Sequence, residues 1–124
     1  MGLVKTYTKP VVNFNKDGNT KDVKTLEDID TKTLFRINPN YLLRQVADDY
    51  VIIPIDDELE LSNAIMTPNR SAVFIWNEFL DANTIENVVK KALSKYDVSE
   101  ETIRRDVRRF VFESLNKKII EEVN

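Results

Sequence analysis

The chain has 124 residues, of which 42% are hydrophobic and 31% are charged, and its formal net charge is -3. This is the size and composition of one soluble globular domain with a single modest core, and the acidic balance argues against general affinity for nucleic acid. The chain contains no cysteine and no histidine, which excludes disulfides and thiolate metal sites and removes the commonest general base.

The N-terminal residues and the longest apolar runs bear on where the protein works. Residues Met1 to Lys5 lack the apolar core of a signal peptide. The longest apolar runs, such as Tyr50 to Ile55, are far too short to cross a bilayer. We therefore expect a cytoplasmic protein that makes no membrane contact.

Met1 to Thr33 is a polar N-terminal extension with little to bury. Within it, Val11 to Phe14 alternates apolar and polar residues after Pro10, and Asp17-Gly18 supplies the residues of a tight turn. A marginal hairpin and a disordered segment are both compatible with this pattern. Because an open sheet edge tends to recruit a strand, we also expect Val11 to Phe14 to pair with the sheet of its own chain or of a second copy, giving an autoinhibited monomer or a homodimer.

Leu34 to Asn124 has the pattern of a folded domain that begins with strands. Tyr41 to Val46 and Tyr50 to Ile55 are rich in β-forming residues and are separated by a connection of hairpin length. We expect these two strands to pair antiparallel. Leu59 to Met66 alternates more weakly and is the predicted third strand.

Three N-cap signals predict three helices after the strands. The capping residues are Asn69, Thr84 and Ser99, and apolar residues recur at three-to-four spacing after each of them. The third helix is expected to end near Asn116. The apolar pair at residues 119–120 then adds a short strand or packs beneath that helix.

The side chains that could carry chemistry are few. Trp76 and Tyr96 could stack on a ligand, but Trp76 shares a helical face with Ala72 and Phe79, which favours packing in the core. The sequence has no glycine-rich phosphate loop, nucleophile elbow or metal motif. We therefore expect no catalytic activity, cofactor or bound metal.

The third helix has a core face and two different flanks when its residues are placed about 100° apart. The core face consists of Ile103, Val107, Phe110, Val111 and Ser114. Arg104, Arg108 and Phe112 follow one another along one flank, and Asp106 and Glu113 lie on the opposite flank. A solvated face would explain the two arginines, whereas an aromatic residue outside the core sector needs something to cover it.

Many single residues and short motifs along the chain match those of one small family in their order and spacing. They are Leu43-Arg44, Tyr50 to Pro54, Asn69, Ser71-Ala72, Ile75-Trp76, Leu80-Asp81, Thr84, Val88, Leu93, Tyr96-Asp97, Ser99, Asp106-Val107 and Phe110. Together they resemble the pyrroloquinoline quinone biosynthesis protein D family (PqqD-like), whose fold is the leader-peptide recognition element of ribosomal peptide natural product pathways. The resemblance implies an α+β fold like a winged helix-turn-helix, with an N-terminal three-stranded antiparallel sheet followed by three helices.

The resemblance also implies a function and a site. It implies a non-catalytic chaperone or adaptor that presents a precursor peptide to a peptide-modifying enzyme, for example one of the radical S-adenosylmethionine type. In this family the leader peptide adds as a strand in a cleft between the third strand and the third helix. Carried over, one wall of the groove is Ser62, Asn63, Ala64, Ile65 and Met66, and the other is Arg104, Arg108 and Phe112. The two arginines would select an acidic leader.

The chain departs from the family at several turns. The family commonly has glycine where this chain has Ala47, Ala82 and Lys118, and it usually has leucine where this chain has Pro68. These changes bear on turn geometry and on the register of the third strand. Phe112 stands where the family often carries a polar residue.

Two other functions fit parts of the pattern. Three helices with a small sheet also describe a winged-helix DNA-binding regulator, in which Arg104-Arg105 and Arg108-Arg109 would enter the major groove. Asp106 interrupts those arginines, and acidic residues occupy the start of the helix, where base contacts are usually made. A purely structural adaptor of a larger enzyme is the third interpretation.

Overall fold

The structure is a computed structural model that describes residues 5–14, 29–55 and 66–123. Its strands are β1 (Lys5–Thr6), β2 (Val12–Phe14), β3 (Leu34–Ile37), β4 (Tyr41–Val46), β5 (Asp49–Pro54), β6 (Met66–Pro68), β7 (Asn83–Thr84), β8 (Tyr96–Asp97) and β9 (Ile120–Val123). Its helices are α1 (Arg70–Glu78), α2 (Ile85–Lys95) and α3 (Glu100–Asn116).

The largest sheet has four strands in the order β2-β6-β5-β4. The predicted hairpin is confirmed, since β4 and β5 pair antiparallel from Tyr41 opposite Pro54 to Val46 opposite Asp49. Ala47 in the intervening turn has φ 56°, a left-handed conformation that glycine adopts at less cost. The hairpin therefore keeps its turn without the glycine that the resemblance leads one to expect.

The predicted third strand, Leu59 to Met66, falls mostly outside the described residues, as do its wall residues Ser62, Asn63, Ala64 and Ile65. The described strand in this position is β6, which begins at Met66 and ends at Pro68. Met66 lies opposite Ile52 of β5, so β6 continues the antiparallel sheet.

The N-terminal segment joins the sheet on the far side of β6. β2 pairs antiparallel with β6, and β1 pairs parallel with β8 at the start of the loop before α3. The predicted strand within Val11 to Phe14 is thus confirmed, and it pairs with the sheet of its own chain. The predicted turn at Asp17-Gly18 lies outside the described residues.

A second sheet joins distant parts of the chain. β3 lies between β7 and β9, and Leu34 to Ile37 pairs antiparallel with Ile120 to Val123. Of the two alternatives left open for residues 119–120, the structure shows the short strand, which begins at Ile120. Sequence analysis did not predict β3, although its alternating burial, with Phe35 and Ile37 inward, matches a strand with one buried face.

The three predicted helices are confirmed, and so are their caps. The side chains of Asn69, Thr84 and Ser99 accept hydrogen bonds from the backbone N–H groups three residues later, at 3.0, 3.1 and 3.2 Å. Each bond satisfies one of the N–H groups that a helix start leaves unpaired. No helix in the described part of the chain is long and apolar enough to cross a membrane.

One core lies between the helices and the sheets. Trp76 is 1% exposed, and Tyr96 packs edge-on against Phe74 with ring centroids 5.5 Å apart, so both aromatics are core residues as predicted. Ile29 is also buried in this core, although it precedes the expected domain start at Leu34. The mixed α/β class is confirmed, with three helices and several antiparallel strand pairs, and the described residues form three sheets where one was expected.

Candidate functional site

A groove between β6 and α3 is filled by the chain's own N-terminal segment, residues 5–14, here called the strap. Val12, Asn13 and Phe14 of the strap lie opposite Pro68, Thr67 and Met66 of β6. The edge of β6 that faces away from β5 is therefore paired. The groove accepts an extended segment that adds to the sheet as an antiparallel strand.

Asn69 holds the strap by its main chain at the point where β6 leads into α1. Its backbone N–H donates to the Val11 carbonyl at 2.9 Å, and its side-chain Nδ2 donates to the Lys9 carbonyl at 2.7 Å. Its Oδ1 accepts from the Val11 N–H at 3.0 Å while also capping α1. None of the three contacts with the strap uses a strap side chain, so Asn69 would hold a different sequence equally well.

Asp106 holds the strap by a side chain. The Tyr7 hydroxyl donates to Asp106 Oδ2 at 2.5 Å, and Arg105 Nε lies 3.5 Å from the other carboxylate oxygen. Asp106 is only 4% exposed, and a buried carboxylate without donors is strongly destabilising. Burial, followed by the hydrogen bond to Asp106, raises the pKa of Tyr7, so this hydroxyl stays protonated and able to donate.

The rest of the α3 wall is mixed in character. A cavity of about 220 Å³ separates part of the strap, residues 9–12, from α3. From α3 it is lined by Asp106, Arg109, Phe110, Glu113 and Ser114. An apolar ring, that of Phe110, thus lies among carboxylates and one guanidinium on this wall.

The structure places the predicted wall residues in three different situations. Ser62, Asn63, Ala64 and Ile65 lie outside the described residues. Met66 lies in β6, is 6% exposed, and stands opposite Phe14 of the strap, so it belongs to the groove.

Arg104, Arg108 and Phe112 are half-buried on the other flank of α3. Arg104 forms an ion pair with Glu100 at 3.2 Å, one helical turn earlier, and Phe112 packs against the core. Within the described residues, the cavity between the strap and α3 is lined by the Asp106 flank instead, and the role of Arg104, Arg108 and Phe112 in binding a peptide stays a prediction.

Sequence analysis missed Asn69 and Asp106 as site residues. Asn69 was assigned only as a helix cap, and the position directly after the third strand was the available signal for a second role. Asp106 was placed on the flank opposite the expected wall. Its position as the one acidic residue among four arginines was the signal that it has a specific partner.

Comparisons with known proteins agree on one family and one fold. The family model described as Coenzyme PQQ synthesis protein D (PqqD) matches residues 49–120. Among solved structures, "TbiB1 in Complex with the TbiA(beta) Leader Peptide" is similar with a TM-score of 0.58 and 19% sequence identity, over 72% of this chain and 98% of that chain. At this identity the likeness concerns the fold. No curated protein matches the chain.

Proposed function

The chain belongs to the PqqD family, and from this we propose that it is a non-catalytic adaptor that binds the leader segment of a ribosomally made precursor peptide. It presents that precursor to a separate peptide-modifying enzyme, for which a radical S-adenosylmethionine enzyme is one candidate. The leader binds as an added strand between β6 and α3.

The observation that carries this proposal is the strand already lying in the groove. β2 pairs with β6 along its whole length, and Asn69 extends the contact by three hydrogen bonds to the main chain. Main-chain pairing of this kind supplies affinity for an extended peptide, and the neighbouring helix supplies selection through side chains. TbiB1, which has a similar fold, was solved in complex with a leader peptide, and this supports peptide binding as the use of the fold here.

The charge of the α3 wall suggests which leaders are selected. If the peptide lies on the Asp106 flank, as the strap does, Asp106 and Glu113 favour a leader that offers hydroxyl or cationic donors there. If it lies on the flank of Arg104, Arg108 and Phe112, an acidic leader is favoured. We propose the first arrangement, because the strap, which pairs with the edge of β6 away from β5, bonds to Asp106 and lies beside the Asp106 flank.

The pairing of the arginines on α3 counts against a DNA-binding role. Arg104 pairs with Glu100 at 3.2 Å, Arg105 lies 3.5 Å from Asp106, and Arg109 lies 4.0 Å from Glu113. These three arginines, which would face phosphates or bases, thus have carboxylate partners within α3. Affinity for DNA requires cations that can neutralise phosphates.

Titration calorimetry of the purified protein tests the proposal. The ligands are synthetic leader peptides encoded by short reading frames beside the gene, and the variants are Asp106→Asn and the pair Arg104→Ala with Arg108→Ala. The measurements are made on the unaltered chain and on Asn13→Pro, whose strap is weakened because proline cannot donate to β6. We expect one such leader to bind, and in the Asn13→Pro chain we expect Asp106→Asn to weaken it more than the arginine pair does. If none of these leaders binds either protein, the adaptor proposal is wrong. If the arginine pair alone weakens binding, the peptide lies on the other flank.

A further inference from the structure

We infer, building on the proposed function, that the strap is a built-in ligand of the groove, and that an incoming peptide must displace it and take over its contacts with Asn69 and Asp106. Asn69 is then the residue that holds the peptide main chain, and Asp106 is the residue that selects one donor side chain. The inference names two binding residues and the chemical feature that they require of the ligand.

The first step is that the strap uses the groove as a separate strand would. Residues 5–14 are tied to the rest of the described structure by strand pairing of β2 with β6 and of β1 with β8, by the Asn69 hydrogen bonds, and by Tyr7. Val12 and Tyr7 pack partly against the core, and the Tyr7 ring lies edge-on to Tyr96 with centroids 5.8 Å apart, while Val11 and Asn13 are exposed. An extended peptide with an apolar residue at the position of Val12 and an aromatic ring at that of Tyr7 could replace these contacts.

The second step concerns the main chain. The backbone N–H and C=O of Val11 both form hydrogen bonds with Asn69. Hydrogen-bonded and non-hydrogen-bonded residue pairs alternate along two antiparallel strands, so Asn13 is the next strap residue whose backbone N–H and C=O face β6. Val12 then lies opposite Pro68 in a pair that needs no N–H from either residue. This explains how β6 tolerates a proline next to a bound strand, and it leaves Asn69 as the main source of donors at this end of the groove.

The third step concerns Asp106. Its carboxylate is buried and its donors are Tyr7 and Arg105. Displacing the strap removes the Tyr7 hydroxyl, so the new peptide must supply a donor in its place or leave a buried carboxylate short of hydrogen bonds. The preferred ligand is therefore a peptide with tyrosine five positions before the inward apolar residue, as Tyr7 stands before Val12, because the phenol supplies both the donor to Asp106 and the ring contact with Tyr96.

The covalent link makes the strap a strong competitor. An attached segment acts at an effective concentration on the order of millimolar, so free peptides of equal intrinsic affinity bind poorly. A free peptide can displace the strap in two ways: it binds the groove more tightly than the strap does, or the strap itself is weakened by substitution.

A labelled copy of the strap in solution tests the inference. The probe is a synthetic peptide of residues 5–14 with a fluorophore at its N-terminus, and fluorescence anisotropy measures its binding to the full-length chain. In the receptor variant Asn13→Pro, the proline cannot donate to β6, so the attached strap is weakened. We expect the probe to bind this variant about tenfold or more tightly than it binds the unaltered chain.

Two further substitutions assign the contacts. In the Asn13→Pro receptor, Asn69→Asp keeps the cap of α1 but loses the donor to the Lys9 carbonyl, and it should weaken the probe about tenfold. The matched control is Asn38→Asp, which likewise removes an Nδ2 donor to a main-chain carbonyl, that of Lys118, and should leave binding unchanged. A probe with Tyr7→Phe should bind about tenfold more weakly, because it offers Asp106 no donor.

The inference is overturned if the probe binds the unaltered chain and the Asn13→Pro receptor equally, or if Asn69→Asp has no more effect than Asn38→Asp. Equal binding of the Tyr7→Phe probe would remove Asp106 as the selecting residue. If Asn13→Pro prevents folding, amide hydrogen exchange decides instead: Asn69→Asp alone should speed exchange at Val11 and Asn13, and unchanged exchange overturns the inference. Because the probe is the chain's own segment, these outcomes do not depend on whether a precursor leader is the natural ligand.

Discussion

Asp106 receives its hydrogen bond from Tyr7, 99 residues earlier in the chain. A single buried carboxylate therefore ties the N-terminal segment to the last helix. This contact could not be predicted from sequence, because neither residue has a local pattern that points to the other. The spacing of residues along α3 did predict that Asp106 lies on the flank opposite Arg104 and Arg108. That spacing alone does not show which of the two flanks faces the strap.

The Tyr7 contact predicts how docking of the strap depends on pH. Burial and the bond to Asp106 raise the pKa of Tyr7 above its ordinary value of 10.0. A phenol whose pKa is higher in the docked state stabilises docking fully below pH 10.0, and this contribution is lost as the pH rises further, because the undocked form releases its proton first.

Phenolate absorbance near 295 nm, followed from neutral to strongly alkaline pH, measures this effect. Tyr7→Phe should remove the part of the absorbance change that appears at the highest pH. If the titration curve of Tyr7→Phe loses a phenol of ordinary pKa instead, the described contact between Tyr7 and Asp106 is wrong.

The turn residues that differ from the family's glycines lead to a second prediction, which concerns stability. Ala47 and Lys118 have φ of 56° and 61°, whereas Ala82 does not have positive φ. The left-handed conformation costs a non-glycine residue about 1–2 kcal/mol, so replacing that residue with glycine should stabilise the fold. The greater backbone freedom of glycine in the unfolded chain offsets part of this stabilisation.

We therefore expect Ala47→Gly and Lys118→Gly each to raise the free energy of unfolding by about 0.5–1 kcal/mol, and we expect the control Ala82→Gly to lower it or leave it unchanged. Urea unfolding followed by circular dichroism measures all three. A destabilising effect at residues 47 and 118 equal to that at residue 82 would contradict the described turn geometry.

At the scale of elements, sequence analysis predicted what local signals specify. The helices were found because a capping residue, three-to-four apolar spacing and a polar turn agree in each case, and the β4–β5 hairpin was found because its turn is short. β3, β7 and β9 were missed or left open because they are short and pair only with distant strands. For the candidate site, the sequence predicted an open sheet edge that Val11 to Phe14 could join, but it placed the third strand at Leu59 to Met66 and did not predict the role of Asn69.

The role of β9 makes a prediction at the scale of elements. Ile120 is 2% exposed and lies opposite Ile37, so this C-terminal strand contributes a buried side chain to the core. Ile120→Ala should destabilise the protein by about 2–5 kcal/mol, as large-to-small changes in a core do.

The control is Glu121→Ala in the same strand, which removes an ion pair with Arg36 between partly exposed side chains. Such pairs contribute about 0–1 kcal/mol, so this variant should unfold at nearly the same denaturant concentration as the unaltered chain. If Ile120→Ala is as mild as Glu121→Ala, β9 is not part of the core.

For the whole molecule, the acidic charge and the carboxylate partners on α3 predict weak binding to DNA. The net charge is -3, and any binding should be insensitive to base sequence and should decline steeply with added salt. Gel-shift and anisotropy assays with random and promoter-derived duplexes check this. Submicromolar affinity for one defined duplex at physiological salt would favour a regulator over a peptide-binding adaptor.

The central claim is that a leader peptide binds as a strand on β6 and releases the strap. The most direct test is a titration of isotopically labelled full-length protein with a leader peptide, followed by amide resonances and hydrogen exchange. We predict that the amides of Met66, Thr67 and Asn69 shift on binding and remain protected, while those of Val11 and Asn13 lose protection in proportion to the bound fraction. Shifts confined to the Arg104, Arg108 and Phe112 flank, with the strap still protected at saturation, would contradict the account.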